Sequence, residues 1–277
     1  MPEPRPARPT LLGLPFDGGS SFLRGAAAAP AAIRAALASD HTNWWTEDGR
    51  DLRADGGLAD AGDVPRAAPG EDAASVHARI AAAVGALAAT GARPLLLGGD
   101  HAVSYPALRG LRPHAPSLTV LHVDAHPDLY PDYAGDRLSH ACPFARVLED
   151  GLADRVVQVG IRASTGVQRA QARRLGVEVV DMAAWARGAR PSLDGAVYLS
   201  FDLDALDPAF APGVSHREPG GLTTREALGL VQGCGGRLVG ADVVELNPSR
   251  DVQDLTACAA AKLVKEVAAR LLRDAGD

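Results

Sequence analysis

Three short clusters of aspartate and histidine carry the chemistry this chain could do. They are Gly98-Gly99-Asp100-His101, Asp124-Ala125-His126-Pro127-Asp128 and Ser200-Phe201-Asp202-Leu203-Asp204. In an extended segment, residues two apart point the same way, so Asp124, His126 and Asp128 share one face, and Asp202 and Asp204 share another. His101 adds a further imidazole. Four carboxylates and two imidazoles without a thiolate form an oxygen-rich set, which suits Mn²⁺ better than a structural zinc site. The charges also match, since four aspartates balance two divalent ions. Without cations, carboxylates this close repel one another and some must hold protons. Two ions roughly 3.5–4 Å apart can share Asp124 and Asp202 as bridges and lower the pKa of a water between them toward neutral. Taken singly, each cluster has a plainer reading: an Asp-x-Asp pair or a Gly-Gly-Asp-His run is commonly a turn or a cap. Three of them, each directly after an apolar run, are hard to account for that way. His122 lies inside the run that leads to Asp124 and reads as a buried histidine or one lying behind the ligands.

The elements that must position these clusters are legible as short apolar runs alternating with helical patterns. The runs Thr10–Leu14, Pro94–Leu97, Leu118–Val123, Arg155–Val159, Val177–Val180, Ala196–Leu203 and Leu238–Val244 are mostly continuous rather than alternating. That is the pattern of strands covered on both faces. Helices are expected over Pro30–Ser39, Glu71–Thr90 with Gly91 closing it, Tyr105–Leu111, His140–Asp150, Thr165–Leu175, Thr223–Gln232 and Asp251–Asp274. Strands alternating with helices predict an α/β fold with a mostly parallel sheet. Ligands bind such sheets at the carboxyl ends of strands, so clusters after three strands converge on one crevice. The polar stretch Asp40–Ala73, which holds Trp44 and Trp45, reads as an ordered excursion of the same domain.

Composition narrows the setting. The 277 residues include 53 alanines and few aromatics, so the core must be built from small and aliphatic groups. No run of apolar residues reaches membrane-spanning length. The proline- and arginine-rich stretch Met1 to Thr10 does not read as a signal peptide. Three widely spaced cysteines, Cys142, Cys234 and Cys258, do not form a disulfide framework and fit a reducing cytoplasm. A net charge of −6 with no basic run argues against nucleic acid as partner.

The clusters resemble those of the ureohydrolase family (arginases, agmatinases and related guanidino-group hydrolases), and the plant-type arginase/agmatinase branch most closely. The similarity extends through Ser20-Ser21-Phe22-Leu23-Arg24-Gly25, Asp60-Ala61-Gly62-Asp63-Val64-Pro65, Ser139-His140-Ala141, Gln158-Val159-Gly160-Ile161-Arg162, the stretch Ser200 to Gly221, Gly240-Ala241-Asp242-Val243-Val244-Glu245 and Asn247-Pro248. It implies one domain over residues 1–277, with a three-layer α/β/α arginase-like fold around an eight-stranded parallel sheet. It also implies two Mn²⁺ ions per subunit. One ion would be held by His101, Asp124, Asp128 and Asp202, the other by Asp124, His126, Asp202 and Asp204. A homo-oligomer, trimer or hexamer, is the implied assembly.

By the same resemblance, the substrate is a small cationic guanidino compound cleaved to urea and an amine. His140 is the implied general acid or proton shuttle; its plainer reading is a histidine at a helix start. Glu226 matches the glutamate that receives the guanidinium, although Thr223-Thr224-Arg225-Glu226 is equally a capping-box pattern. The acid that reads an α-amino group in animal-type arginases has no counterpart, because Ala163-Ser164-Thr165 follows Gly160-Ile161-Arg162. Leu129-Tyr130 stands where those enzymes have an asparagine. Agmatine, hydrolysed to putrescine, is therefore the first expectation, with arginine to ornithine or another guanidino compound the alternative. On the loop His216-Arg217-Glu218, Arg217 either binds a carboxylate tail or is a solvated arginine. A zinc deacetylase sharing the fold, or an inactive binding protein, is the reading from another class. The complete set of six ligands speaks against both.

Overall fold

The continuous apolar runs form strands that pack on both sides. The computed structural model describes residues 8–54 and 56–275. Its strands are β1 (Pro9–Gly13), β2 (Ala59–Asp63), β3 (Arg93–Leu97), β4 (Thr119–Val123), β5 (Arg155–Val159), β6 (Glu178–Val180), β7 (Ala196–Asp202) and β8 (Arg237–Val244). All pairings are parallel, in the order β2-β1-β3-β8-β7-β4-β5-β6. Helices α1 (Ala29–Leu37), α2 (Ala73–Ala89), α3 (Ser104–Leu111), α4 (Pro143–Glu149), α5 (Gly166–Leu175), α6 (Met182–Ala186), α7 (Thr224–Gly233) and α8 (Leu255–Arg273) connect them.

Side chains alternate across the sheet, and both sets are buried. Leu95, Leu97, Leu121, Val123, Leu199 and Phe201 enter one core with residues of α1, α7 and α8. Leu96, Val120 and Tyr198 enter the other with residues of α2, α3 and α4. This is the three-layer arrangement the uninterrupted runs predict.

Seven strands lie where the apolar runs place them, to within a residue or two. The eighth, β2, falls inside the polar stretch 40–73. Its sequence, Ala-Asp-Ala-Gly-Asp, has no apolar run; it pairs only with β1, and of its residues only Ala59 is buried. The turn before α4 also differs from expectation. The helix begins at Pro143, so His140 lies on the preceding turn rather than in the helix. Among the described residues no helix is long and apolar enough to cross a membrane. Residues 1–7, most of the proline- and arginine-rich start, lie outside the described residues.

Candidate active site

The four central strands, β3, β8, β7 and β4, end side by side, and each delivers polar residues at its carboxyl end. Behind β3, the Asp100 side chain accepts from Ala102 N and starts a short helical turn that carries His101. The orientation of that imidazole is set from behind. Ser200 Oγ donates to Asp242 Oδ1 at 2.7 Å, so toward His101 Nε2, 2.9 Å away, it can only accept. The proton of a neutral His101 therefore sits on Nε2, and the Nδ1 lone pair faces forward. There Nδ1 lies 3.1 Å from one oxygen each of Asp124, Asp128 and Asp202. It is fully buried and has no hydrogen-bond partner. A lone pair ringed by three anionic oxygens is repulsive unless a cation lies between them, which is what a metal ligand set provides. Burial works against charging His101, yet these carboxylates prevail and raise its pKa well above the ordinary value, the same demand for positive charge expressed as a proton.

A second group shares Asp124. His126 Nδ1 lies 3.0 Å from Asp204 Oδ2 and 3.5 Å from Asp124 Oδ1. Potential ligand atoms of Asp124, His126 and Asp204 lie within 4.8 Å of one another. Asp202 is held by Asp204 N on Oδ1 and Asp124 by His126 N on Oδ1, so backbone amides orient both bridging candidates. Burial and the charges of Asp204 and Asp124 push Asp202 well above the usual carboxylate range. Burial and Asp124, against the pull of His126, bring Asp204 up to about 6. The donor set thus fits two divalent cations. His122 also lies within reach of the first group. However, Gln158 Nε2 donates to its Nδ1 (3.0 Å), which leaves Nε2–H to donate to Asp124 Oδ2 at 2.7 Å. It braces a ligand from behind rather than offering a lone pair.

The cluster floors a cavity of about 500 Å³. Around it stand Ser21, Tyr130, His140, Ser164, His216 and Glu218. His140 is 8% exposed. Its Nδ1 meets Glu245 Oε1 at 3.1 Å, and Ser21 Oγ lies 2.9 Å from Nε2. Burial opposes a charge on His140, but the hydrogen bond and charge of Glu245 win and raise its pKa to about 9, so the ring is protonated at neutral pH. Glu245 follows β8 and also accepts from His101 N on the same Oε1, at 2.9 Å. Asp128 (φ 50°) and Glu245 (φ 66°) both sit in the left-handed region without being glycine. Such backbone costs about 1–3 kcal/mol each and concentrates where function holds it.

The chain matches the model of the arginase family over residues 7–269. The chain belongs to the arginase family. It is a hydrolase acting on C–N bonds of linear amidines, and the family's centre is binuclear. This arginase-family chain is 44% identical over 279 residues to a mitochondrial arginase of Medicago truncatula, covering 96% of the chain and 82% of that relative. The solved arginase from Medicago truncatula superposes with a TM-score of 0.90 at 45% identity, covering 95% of this chain and 87% of that one. A hypothetical agmatinase from Burkholderia thailandensis follows at 0.84 and 34% identity, covering 98% and 87%. The architecture is therefore the arginase-like α/β fold.

Glu226 requires correction. It sits at the third position of α7, where Thr223 N (2.9 Å) and Thr223 Oγ1 (2.8 Å) both donate to its Oε2. Trp185 Nε1 donates to its Oε1 at 3.1 Å. The carboxylate is spent on the capping box and lines a different pocket beside Trp185 and Arg190. The glutamate that faces the cavity beside His140 is Glu245. The signal for it was present: a charged residue directly after an apolar strand, the same feature that marks the other three clusters. Arg217 is likewise occupied, donating to Pro212 O and Arg250 O. Arg162, though it lines the cavity, donates to the carbonyls of Gly160, Asp204, Ala205, Leu206 and Glu218 and braces three loops.

Proposed function

We propose that this chain hydrolyses the guanidino group of L-arginine, releasing urea and ornithine, with two Mn²⁺ ions held by His101, Asp124, Asp128, Asp202, His126 and Asp204. The observation that carries the reading is the buried lone pair of His101 facing three carboxylates at the floor of a cavity walled by Glu245 and His140. When bound, the two ions supply a nucleophilic water at neutral pH. The chain's own residues do the rest. Glu245 Oε2 receives no hydrogen bond from the described residues, and a carboxylate edge takes the N–H groups of a planar guanidinium. That contact orients the guanidino carbon toward the floor. Expulsion of the amine requires a proton, and protonated His140 holds one at the cavity wall.

The first expectation, agmatine, rested on missing groups: no acid after Arg162 and no asparagine after Asp128. The mitochondrial arginase at 44% identity supports arginine instead, whereas the hypothetical agmatinase lies further off. The wall is compatible with this. Ser164 brings a hydroxyl to it, which can donate to an α-carboxylate, and the half-buried Glu218 can meet an α-ammonium. The test is urea release by Mn²⁺-loaded protein from arginine, agmatine and 4-guanidinobutyrate. Arginine is expected to show the highest kcat/KM. A clear preference for agmatine reverses the substrate, and urea from none of them removes the hydrolase reading.

A further inference from the structure

Both ring nitrogens of His140 are engaged, and this bears on how its proton can leave. Nδ1 faces Glu245 Oε1 at 3.1 Å. A carboxylate only accepts, so Nδ1 carries a proton in either charge state of the ring. The proton that can be given up is therefore on Nε2, and the atom on Nε2 is Ser21 Oγ at 2.9 Å. Ser21 is itself exposed and lines the cavity, whereas His140 is buried behind it. A proton moving from His140 to a molecule in the cavity meets the serine hydroxyl first.

The loop that brings Ser21 there is docked to His140's own turn. Gly19 O accepts from His140 N (3.1 Å) and from Ser139 Oγ (3.2 Å). Ser20 Oγ donates to Asp100 Oδ2 at 3.2 Å. A Cβ on Gly19 would stand 2.8 Å from Ala102 Cβ and 3.0 Å from His140 N, so the close approach needs a glycine. The loop and the histidine thus form one unit, and Ser21 is the residue of that loop whose hydroxyl reaches the ring.

We propose that Ser21 relays the proton from His140 to the leaving amine. The step balances as follows. The bond from the guanidino carbon to the substrate's chain nitrogen breaks, and its electron pair stays on that nitrogen. Ser21 Oγ gives its proton to the nitrogen while taking the Nε2 proton of His140. The serine ends unchanged, His140 becomes neutral, and the amine has gained one proton. Glu245 keeps the Nδ1 proton in place throughout, so the ring delivers from one side only. This inference rests on the amidinohydrolase reading above.

The test has two parts on the full-length protein. The first needs no turnover: ¹⁵N NMR of the His140 ring in wild type and Ser21→Ala. The Nε2 resonance is expected to move when the hydroxyl is removed and to return in Ser21→Thr; identical Nε2 resonances in wild type and Ser21→Ala overturn the proposal. The second is kcat for arginine in mixtures of H₂O and D₂O with Mn²⁺ loaded. Wild type is expected to give a curved proton inventory, for two protons moving together. Ser21→Ala should lower kcat about 10- to 100-fold with KM nearly unchanged and a straight inventory, and Ser21→Thr should restore both. A Ser21→Ala kcat within twofold of wild type, or an equally curved inventory, overturns the relay while leaving the hydrolase reading intact. Urea from no guanidino compound overturns both together.

Discussion

At the scale of single residues, the site is governed by which nitrogen of each histidine is free. His101 has its proton fixed on Nε2 by Ser200 and its lone pair turned to the carboxylates. His122 has the opposite arrangement, because the Gln158 amide donates to Nδ1 and leaves Nε2–H for Asp124. Two buried imidazoles against the same aspartate thus do different work, and residue type alone does not separate them. His140 is a third case, whose acidity belongs to Glu245. Burial works to lower this histidine's pKa, and Glu245 opposes it most strongly, ahead of the charges of Asp128 and Asp100. Glu245→Gln removes the largest of these supports and is therefore expected to lower the His140 pKa. The raised pKa of about 9 means that the protonated ring persists through neutral pH and is lost only as pH climbs through that value. Activity that needs the protonated ring then has an alkaline limb. In the Gln variant that limb should move to lower pH and kcat at pH 8 should fall about 100-fold. A pH–rate profile from pH 6 to 10 measures both, and an unmoved limb would contradict the role given to Glu245.

At the scale of elements, loops rather than strands decide the shape of the cavity. Arg162 fastens three of them. Its guanidinium donates to Gly160 O on its own loop, to Asp204, Ala205 and Leu206 after β7, and to Glu218 on the wall. A planar fork with five N–H groups suits such an array, and an ammonium on a single atom does not. Arg162→Lys should therefore behave almost like Arg162→Ala, each losing about 2 kcal/mol of stability in urea titrations. Recovery of wild-type stability by lysine would show that charge alone suffices. The capping box of α7 teaches the complementary point. Thr223 and Glu226 satisfy each other and set where that helix begins, so a glutamate attractive on sequence grounds is used up locally.

At the scale of the whole molecule, the sheet is sandwiched by two cores, and one buried histidine links its integrity to pH. His77 on α2 packs edge-on to Phe16 with ring centroids 5.6 Å apart, and neither ring nitrogen has a hydrogen-bond partner. Burial lowers its pKa from 6.5 to about 4. The unfolded chain therefore binds the proton first as pH falls. The stability tied to neutral His77 is complete above about pH 6.5 and is lost progressively toward pH 4, a change of about 3 kcal/mol. His77→Leu should flatten the dependence of the urea midpoint on pH between 6.5 and 4. An unchanged slope would place the acid sensitivity elsewhere. Phe16 lies on the segment that leads to Ser21, so this packing also supports the loop docked against His140.

The sequence alone determined the parallel sheet and the clusters of candidate metal ligands, because both are local patterns. Two-sided burial demands uninterrupted apolar runs, and a strand end that meets a ligand shows polar residues in place of the next apolar one. Tertiary structure decided what depends on neighbours distant in the chain. β2 has no apolar signature, and its place is set by its pairing with β1. Glu245 and Glu226 are both glutamates at sites of interest, and only folding shows that one meets His140 across 105 positions while the other is held by a threonine three residues away. Ser21 reaches the same imidazole across 119 positions. Hydrogen-bond direction is a property of the assembled network, so the roles of His101, His122 and His140 became distinct only when their partners were in place.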